Sequence, residues 1–445
     1  MFAYLPANYA KPSLAESKPV AAAAATSTPL TITEAVEIAM LNKPNLQTYK
    51  HAIEASKARG MQVWSEYLPH VGLMADIGQK NGGDGLQTQI TMDAQQLIYS
   101  FAGPIEKYKK AKKQTNITQL ANDKDKKAIK NAVECAFLEC WKVQQQHAFI
   151  NALHTSSTST YKKQACANKL KLLDKSDWLK SKSDYAKNLA ILDKYYQGIE
   201  LTQKKLEFFM GQPIDLALTT FEKPSAISNN KQHIVTLALE WKEPKDINIL
   251  PLTTYYKYAT GNKEELKIAD QQIGIAKDQI YIAQRSDLPT ISAYGASGGF
   301  LAEQMGPMSI APKNFYNCGI RIKWPIFNGL LHDYEEKEAH ANMAKEILAK
   351  DQLQQDIKLA IETAYHALEN ALTNLKAKRV DLVYTRNNLA LKKQELKIGV
   401  ISHVELDVAQ SEWEHAEYEW LDLMTNAVIK ERNLAYACGY PKELD

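Results

Sequence analysis

The sequence predicts a mainly α protein with membrane-type β-strands, built by internal duplication. Two observations carry that prediction. The segment Tyr67-Leu-Pro-His-Val-Gly-Leu-Met-Ala-Asp-Ile-Gly78 returns 220 positions later as Asp287-Leu-Pro-Thr-Ile-Ser-Ala-Tyr-Gly-Ala-Ser-Gly298. Each copy follows a polar helical stretch and precedes a loop, a second short strand and a very long helix, a repeat that limits the architecture more than any single motif. The long helical stretches run from Gly103 to about Lys171 and from Gly329 to about Lys397, with no proline in their interiors. At 1.5 Å per residue each would extend about 100 Å, more than a compact globule accommodates.

In chain order, residues 1–29 read as a disordered leader. They hold several prolines and the tract Ala21–Ala25, without the basic segment and apolar core of a signal peptide. Helical periodicity starts at Thr31, where Thr31 and Glu34 form a capping box. It breaks at Asn42-Lys-Pro-Asn45 and resumes to about Glu66, and Pro69 ends it. Residues 68–78 and 86–99 read as strands joined by a glycine-rich turn. In the second strand Ile90, Met92 and Ala94 share one face, and Thr91, Asp93 and Gln95 the other. Strands are also predicted at 288–300 and 315–327. In the last of these Tyr316, Cys318, Ile320, Ile322, Trp324 and Ile326 alternate with Asn317, Gly319, Arg321 and Lys323. Inward charges on so apolar a strand suit a water-filled lumen or the wet face of a soluble sandwich. Each long helix leads to a second, about Trp178–Met210 and His403–Ala437, ending at the glycine caps Gly211 and Gly439. The hydroxyl run Thr155–Thr160 could break the first long helix. The domain plan is therefore a first repeat at 30–211, a connector at 212–262 with a short helix near His233–Trp241, a second repeat at 263–439 and a tail at 440–445.

Bulk properties exclude several classes. A net charge of +3 gives no reason to expect nucleic acid, and the lysines of 107–130 read as a solvated helix face without stacking aromatics. No apolar run approaches the roughly 18–20 residues of a membrane-spanning helix, which leaves a β-barrel possible. Cys135, Cys140, Cys166, Cys318 and Cys438 have no metal spacing and read as mostly buried small apolar residues. No phosphate loop, nucleophile elbow or HExxH is present. Glu335, Glu336 and Glu338 sit where a helix start favours negative charge. Among His403, Glu405 and Asp407, only the first and last share a helix face. The expectation is no catalytic residue, no metal and no cofactor.

The plan resembles the TolC family of outer-membrane efflux channel proteins over roughly residues 30–440. Thr31-Ile-Thr-Glu-Ala-Val-Glu-Ile-Ala39 with Asn42-Lys-Pro-Asn45 is similar to the family's opening helix and break. Tyr67-Leu-Pro and Asp287-Leu-Pro resemble its helix-to-strand junctions. Trp324-Pro-Ile-Phe-Asn-Gly329 resembles its strand-to-helix junction, with Gln96-Leu-Ile-Tyr-Ser-Phe101 as the divergent first-half partner. Gly399-Val-Ile-Ser-His-Val-Glu-Leu-Asp-Val-Ala-Gln410 is similar to the periplasmic tip turn of the second hairpin.

The resemblance implies a homotrimer in which each chain gives four strands to one twelve-strand β-barrel, continued by a long periplasmic α-helical barrel of coiled-coil hairpins. Four strands cannot close alone, because open edges in lipid are prohibitive. It further implies an outer-membrane exit duct for small toxic compounds or polypeptides, in tripartite efflux or type I secretion. Its partners would be a periplasmic adaptor protein, an inner-membrane pump of RND, ABC or MFS type, and outer-membrane lipid. Asp93, Gln95, Arg321 and Lys323 would line the pore, and Ile90, Met92, Ile320, Ile322 and Trp324 would face lipid. Gly399, Ser402, Glu405 and Asp407 would form the tip gate and adaptor contact. Val408 stands where a second acidic residue of the gate is expected, with Asp407 beside it, and Leu173–Trp178 lacks the usual small-residue turn. The sequence has no cysteine for an acyl anchor near its start. Against this stands a soluble coiled-coil scaffold that buries the apolar strand faces on its own helices.

Overall fold

The computed structural model describes residues 30–79, 86–101, 103–170, 175–213, 249–302, 314–401 and 403–440. The leader, the region of the helix expected near His233–Trp241 and the last residues of the tail lie outside them. The described residues form α1 (Ile32–Asn42), α2 (Pro44–Ser65), β1 (His70–Gln79), β2 (Leu86–Ser100), α3 (Pro104–Lys169) and α4 (Lys175–Met210). The second half repeats the order with α5 (Leu252–Asn262), α6 (Glu264–Ala283), β3 (Thr290–Ala302), β4 (Asn314–Lys323), α7 (Leu331–Ile398) and α8 (His403–Ala437). The chain divides into two compact units, one of residues 1–42, 133–245 and 382–425, the other of residues 43–132, 246–381 and 426–445.

Local chemistry sets the helix boundaries. The Thr31 N–H donates to Glu34 Oε2 at 3.0 Å and the Glu34 N–H to Thr31 Oγ1 at 3.3 Å, the reciprocal capping box. Lys43 is then extended (φ −68°, ψ 117°), as a residue before proline must be, and Pro44 opens α2. The second half reproduces this step without a proline: Lys263 is extended (φ −73°, ψ 120°) between α5 and α6.

Helix α5 lies inside the segment that the sequence reads as an irregular connector. Its run Leu-Thr-Thr-Tyr-Tyr-Lys-Tyr is a poor helix former, and no side chain caps its start. Packing supplies what propensity lacks. Tyr255 and Ala259, one turn apart, are buried against Ile361 and Leu368 of α7 and against Leu434 and Cys438 at the end of α8.

The other unit is a helical core. Val133, Ala136, Phe137, Cys140 and Trp141 of α3 are buried at helical spacing, as are Leu206 and Met210 of α4. Tyr195 donates to the carbonyl of Val143 at 2.8 Å, and burial pushes its phenol well above its ordinary range. The hydroxyl run does not break α3, which is continuous for 66 residues. Just beyond the run the Tyr161 ring stacks on Trp178 and on Tyr185 of α4 at 5.5 and 4.4 Å. That contact anchors the stretch more firmly than local hydroxyl bonding disrupts it.

Two further expectations are corrected. The lysines of 107–130 are not simply a solvated face. At helical spacing Lys107 reaches Glu66 at 2.9 Å, Lys110 reaches Gln279 at 2.7 Å and Lys113 reaches both Asp278 and the Gly274 carbonyl. Spacing in one helix cannot reveal such acceptors on another. The cysteines are also less uniformly buried than expected. Cys140 and Cys438 are buried, their thiols pushed up to about 12 by desolvation, whereas Cys166 and Cys318 are exposed on α3 and β4.

Lys127 joins three chain segments. Its Nζ lies 2.8 Å from Glu264 Oε1 and 2.7 Å from the Gly439 carbonyl, with the Asn262 carbonyl at 3.4 Å. The Glu264 side chain is only 9% exposed. Lys127→Met should therefore cost about 2 kcal/mol, below the figure for a fully buried pair because Lys127 itself is partly solvated. A melting curve followed by helical circular dichroism reads that loss, and an unchanged midpoint would show that water replaces the ammonium.

Candidate functional site

The four strands form one antiparallel sheet in the order β1-β2-β3-β4. Because side chains alternate, the pairing register decides which residues share a face. Met92 pairs with Leu73 on β1 and Ser297 on β3, and Ile90 pairs with Ala75 and Gly299. Ile320 pairs with Ala293 and Ile322 with Ile291. These residues make one apolar face, continued by Tyr316 and Cys318. It is largely uncovered within the chain: Met92 is 53%, Ile320 69% and Ile322 67% exposed.

The opposite face is polar. Asp93 pairs with Gly72, Gln95 with His70 and Tyr294, and Arg321 with Ser292. Two glycines shape this face. A Cβ at residue 72 would stand 2.8 Å from Asp93 Oδ1, so the carboxylate lies over the glycine. At Gly319 the Tyr294 ring takes the space a side chain would fill, and the Arg321 guanidinium sits over that ring at 4.5 Å. His70 and Asp76 do not stand out in the sequence because β1 alternates weakly, with Gly72 and Met74 on its polar side, and Tyr294 gains its place only through the pairing of β3 with β4.

β4 is shorter than the sequence implies. The ladder ends at Lys323, and Trp324 and Ile326 lie beyond it. Pro325 has no N–H to donate and restricts the residue before it, so pairing cannot continue. Trp324 is exposed past the strand end, not on the sheet. At the same end of the sheet β2 is irregular between Leu97 and Tyr99, and Tyr99 meets Phe101 edge-on at 4.8 Å.

The turn between α7 and α8 is the other predicted site. Gly399 has φ +79°, its N–H bonds the Leu396 carbonyl at 3.0 Å, and the Val400 N–H bonds the Glu395 carbonyl at 3.0 Å. Both bonds belong to a Schellman ending, which needs a residue in the left-handed region. Ser402 lies outside the described residues. Glu405 and Asp407 are both exposed, and Glu405 stands in the first turn of α8, where negative charge is favoured. Two positions apart, they point to different sides of that helix. The Lys392 ammonium is held above its ordinary pKa by its hydrogen bond to Glu395 and by the charges of Glu395 and Glu405.

Of the remaining carboxylates singled out, Glu336 accepts a bond from Gln284 at 2.9 Å, which lowers its pKa, and Glu335 accepts from Ser286 at 3.4 Å. Both tie the start of α7 to the end of α6. Among the described residues no group of three metal-ligating side chains converges.

Comparison with known proteins bears on this geometry. Residues 255–440 match the outer membrane efflux protein family. No curated protein sequence matches the chain. Among solved structures it is similar to the open state of the outer-membrane channel MtrE of Neisseria gonorrhoeae, at 15% identity and a TM-score of 0.71, covering 95% of each chain. A membrane protein from Pseudomonas aeruginosa matches at 17% identity and 0.71 over 92% of each chain. The outer membrane protein VceC of Vibrio cholerae matches at 13% and 0.69, over 92% of this chain and 97% of its own. The family match falls within the second repeat, and along nearly its whole length the chain has the fold of these outer-membrane channels.

Proposed function

We propose that three copies of the chain close one β-barrel and act as a passive outer-membrane exit duct, for small toxic compounds or polypeptides, in a tripartite efflux or type I secretion assembly. The observation that carries this reading is the division of the sheet. One face is apolar and open, the other polar and charged, and both edge strands lack a partner within the described chain. In lipid such edges must be paired, which supports closure by further copies of the same sheet. Ile90, Met92, Ile320 and Ile322 then face hydrocarbon, with Trp324 at its border where aromatic side chains collect. Asp93, Gln95, Arg321 and Lys323 then line water. The energy for export comes from an inner-membrane pump of RND, ABC or MFS type, reached through a periplasmic adaptor. In this reading Gly399, Ser402, Glu405 and Asp407 form the adaptor contact and gate, which opens by movement of α7 and α8.

The deciding experiment is the oligomeric mass of the full chain, extracted from isolated outer membranes in mild detergent. The expected particle has a protein mass of about 150 kDa, three copies of a 50.0 kDa chain. A monomer or dimer confined to the soluble fraction would refute the duct and leave a coiled-coil scaffold.

A further inference from the structure

The charges on the polar face of the sheet are sorted along its length. The end nearest α3 and α7 carries Lys323 and, on the next row, Arg321, paired through β3 to Thr290 and Ser292. Neither has a carboxylate partner among the described residues, and Arg321 is held over the neutral ring of Tyr294. The acids on this face stand farther out, Asp93 on β2 and Asp76 on β1. Arg321 pairs across Ser292 with Leu97, four residues along β2 from Asp93. With strands 4.7–4.9 Å apart and a rise near 3.4 Å per residue, Arg321 and Asp93 are roughly 16 Å apart at the backbone. That is about two Debye lengths at physiological salt, so Asp93 screens little of the basic field. On the other edge, β1 offers His70, Gly72 and Met74 to the polar face before its first acid, Asp76. Within β1 itself, closing β4 against another copy therefore offers no acid to the basic end before Asp76.

We infer that Arg321 and Lys323 of every copy form a basic belt at the inner end of the barrel, which outweighs the acids Glu405 and Asp407 of the proposed gate, makes the pore select anions and favours carboxylate-, sulfonate- or phosphate-bearing cargo. The inference rests on the duct reading above and goes further by giving the pore a sign. Rings of Arg and Lys concentrate anions in a narrow aqueous path and repel cations, and the low-dielectric wall around the lumen strengthens both effects.

The test is the reversal potential of the purified full-length oligomer in a planar bilayer under a potassium chloride gradient. The native protein should prefer chloride, and R321Q/K323Q should lose that preference several-fold while keeping the same oligomeric mass. D93N, which leaves the belt intact, should shift selectivity further toward chloride. If the double variant fails to assemble, K323Q alone, at the strand end, carries the same directional expectation. A cation-selective native pore, or a reversal potential unmoved by K323Q, overturns the belt and leaves the duct standing. An oligomer that conducts nothing in any salt overturns the duct and the belt together.

Discussion

Met92→Arg should abolish assembly of the protein in the outer membrane, whereas Gln95→Arg, three residues away on the same strand, should leave it intact. Met92 lies in the middle of β2, flanked by Leu73 and Ser297 on the apolar face. At the bilayer midplane a lipid-facing arginine costs about 2–4 kcal/mol. In the proposed trimer that cost is incurred once per copy, so the barrel as a whole loses a large part of its stability. Gln95 projects to the polar face between His70 and Tyr294, where in the proposed barrel a guanidinium would meet water and no hydrocarbon. Heat-modifiable oligomer bands from membrane fractions read both variants. Normal oligomers of Met92→Arg, or loss confined to Gln95→Arg, would reverse the assignment of the two faces. A charge nearer the strand end, as in Ile322→Asp, should cost less, because it can reach the interface.

The second large effect is expected at Gly439. Its φ of +82° is a left-handed conformation costing a side-chain-bearing residue about 1 kcal/mol. Space is a separate demand. A Cβ there would stand 2.9 Å from the carbonyl carbon of Asn262 and 3.0 Å from its oxygen, and backbone at a helix end has little room to move. Adding about 1–3 kcal/mol for that overpacking, Gly439→Ala should lose about 2–4 kcal/mol. Gly211 meets Asn42 in the matching place of the first repeat. Its nearest atom, at 3.2 Å, is the Asn42 Cβ, so its cost is smaller. Gly399→Ala meets open space and keeps only the backbone strain. Melting temperatures should fall in the order Gly439, Gly211, Gly399, with the largest drop first. Equal drops would mean that φ alone matters and that the close approach to Asn262 relaxes freely.

The legible parts of this fold were those written in short-range periodicity. Thr31 and Glu34 announce a helix start because both bonds of the capping box are local. The alternation from Tyr316 to Lys323 announces a two-faced strand because the pleat has a period of two. What escaped depends on partners far along the chain. Helix α5 is held by Ile361, Leu368 and Leu434, which no window around Tyr255 contains. The roles of Lys107, Lys113 and Lys127 are fixed by Glu66, Asp278 and Glu264, each outside the helix that carries the lysine. The polar face of the sheet was half visible. Arg321 and Lys323 stood out by charge, but Tyr294, which fixes Arg321, did so only once β3 and β4 were in register.

The open edges of the sheet bear on how the channel is made. Among the described residues, β1 and β4 each offer unpaired backbone to any strand that arrives, in water as well as in lipid. A single copy cannot satisfy them, so in the proposed trimer the sheet is completed only when three chains meet. The yield of channels then climbs more steeply than the supply of chains. At low synthesis rates most copies wait with their edges exposed, and these are the copies that proteases and misplaced strand pairing remove. In the proposed trimer, channel yield should therefore depend on the rate of synthesis as well as on the stability of the finished channel.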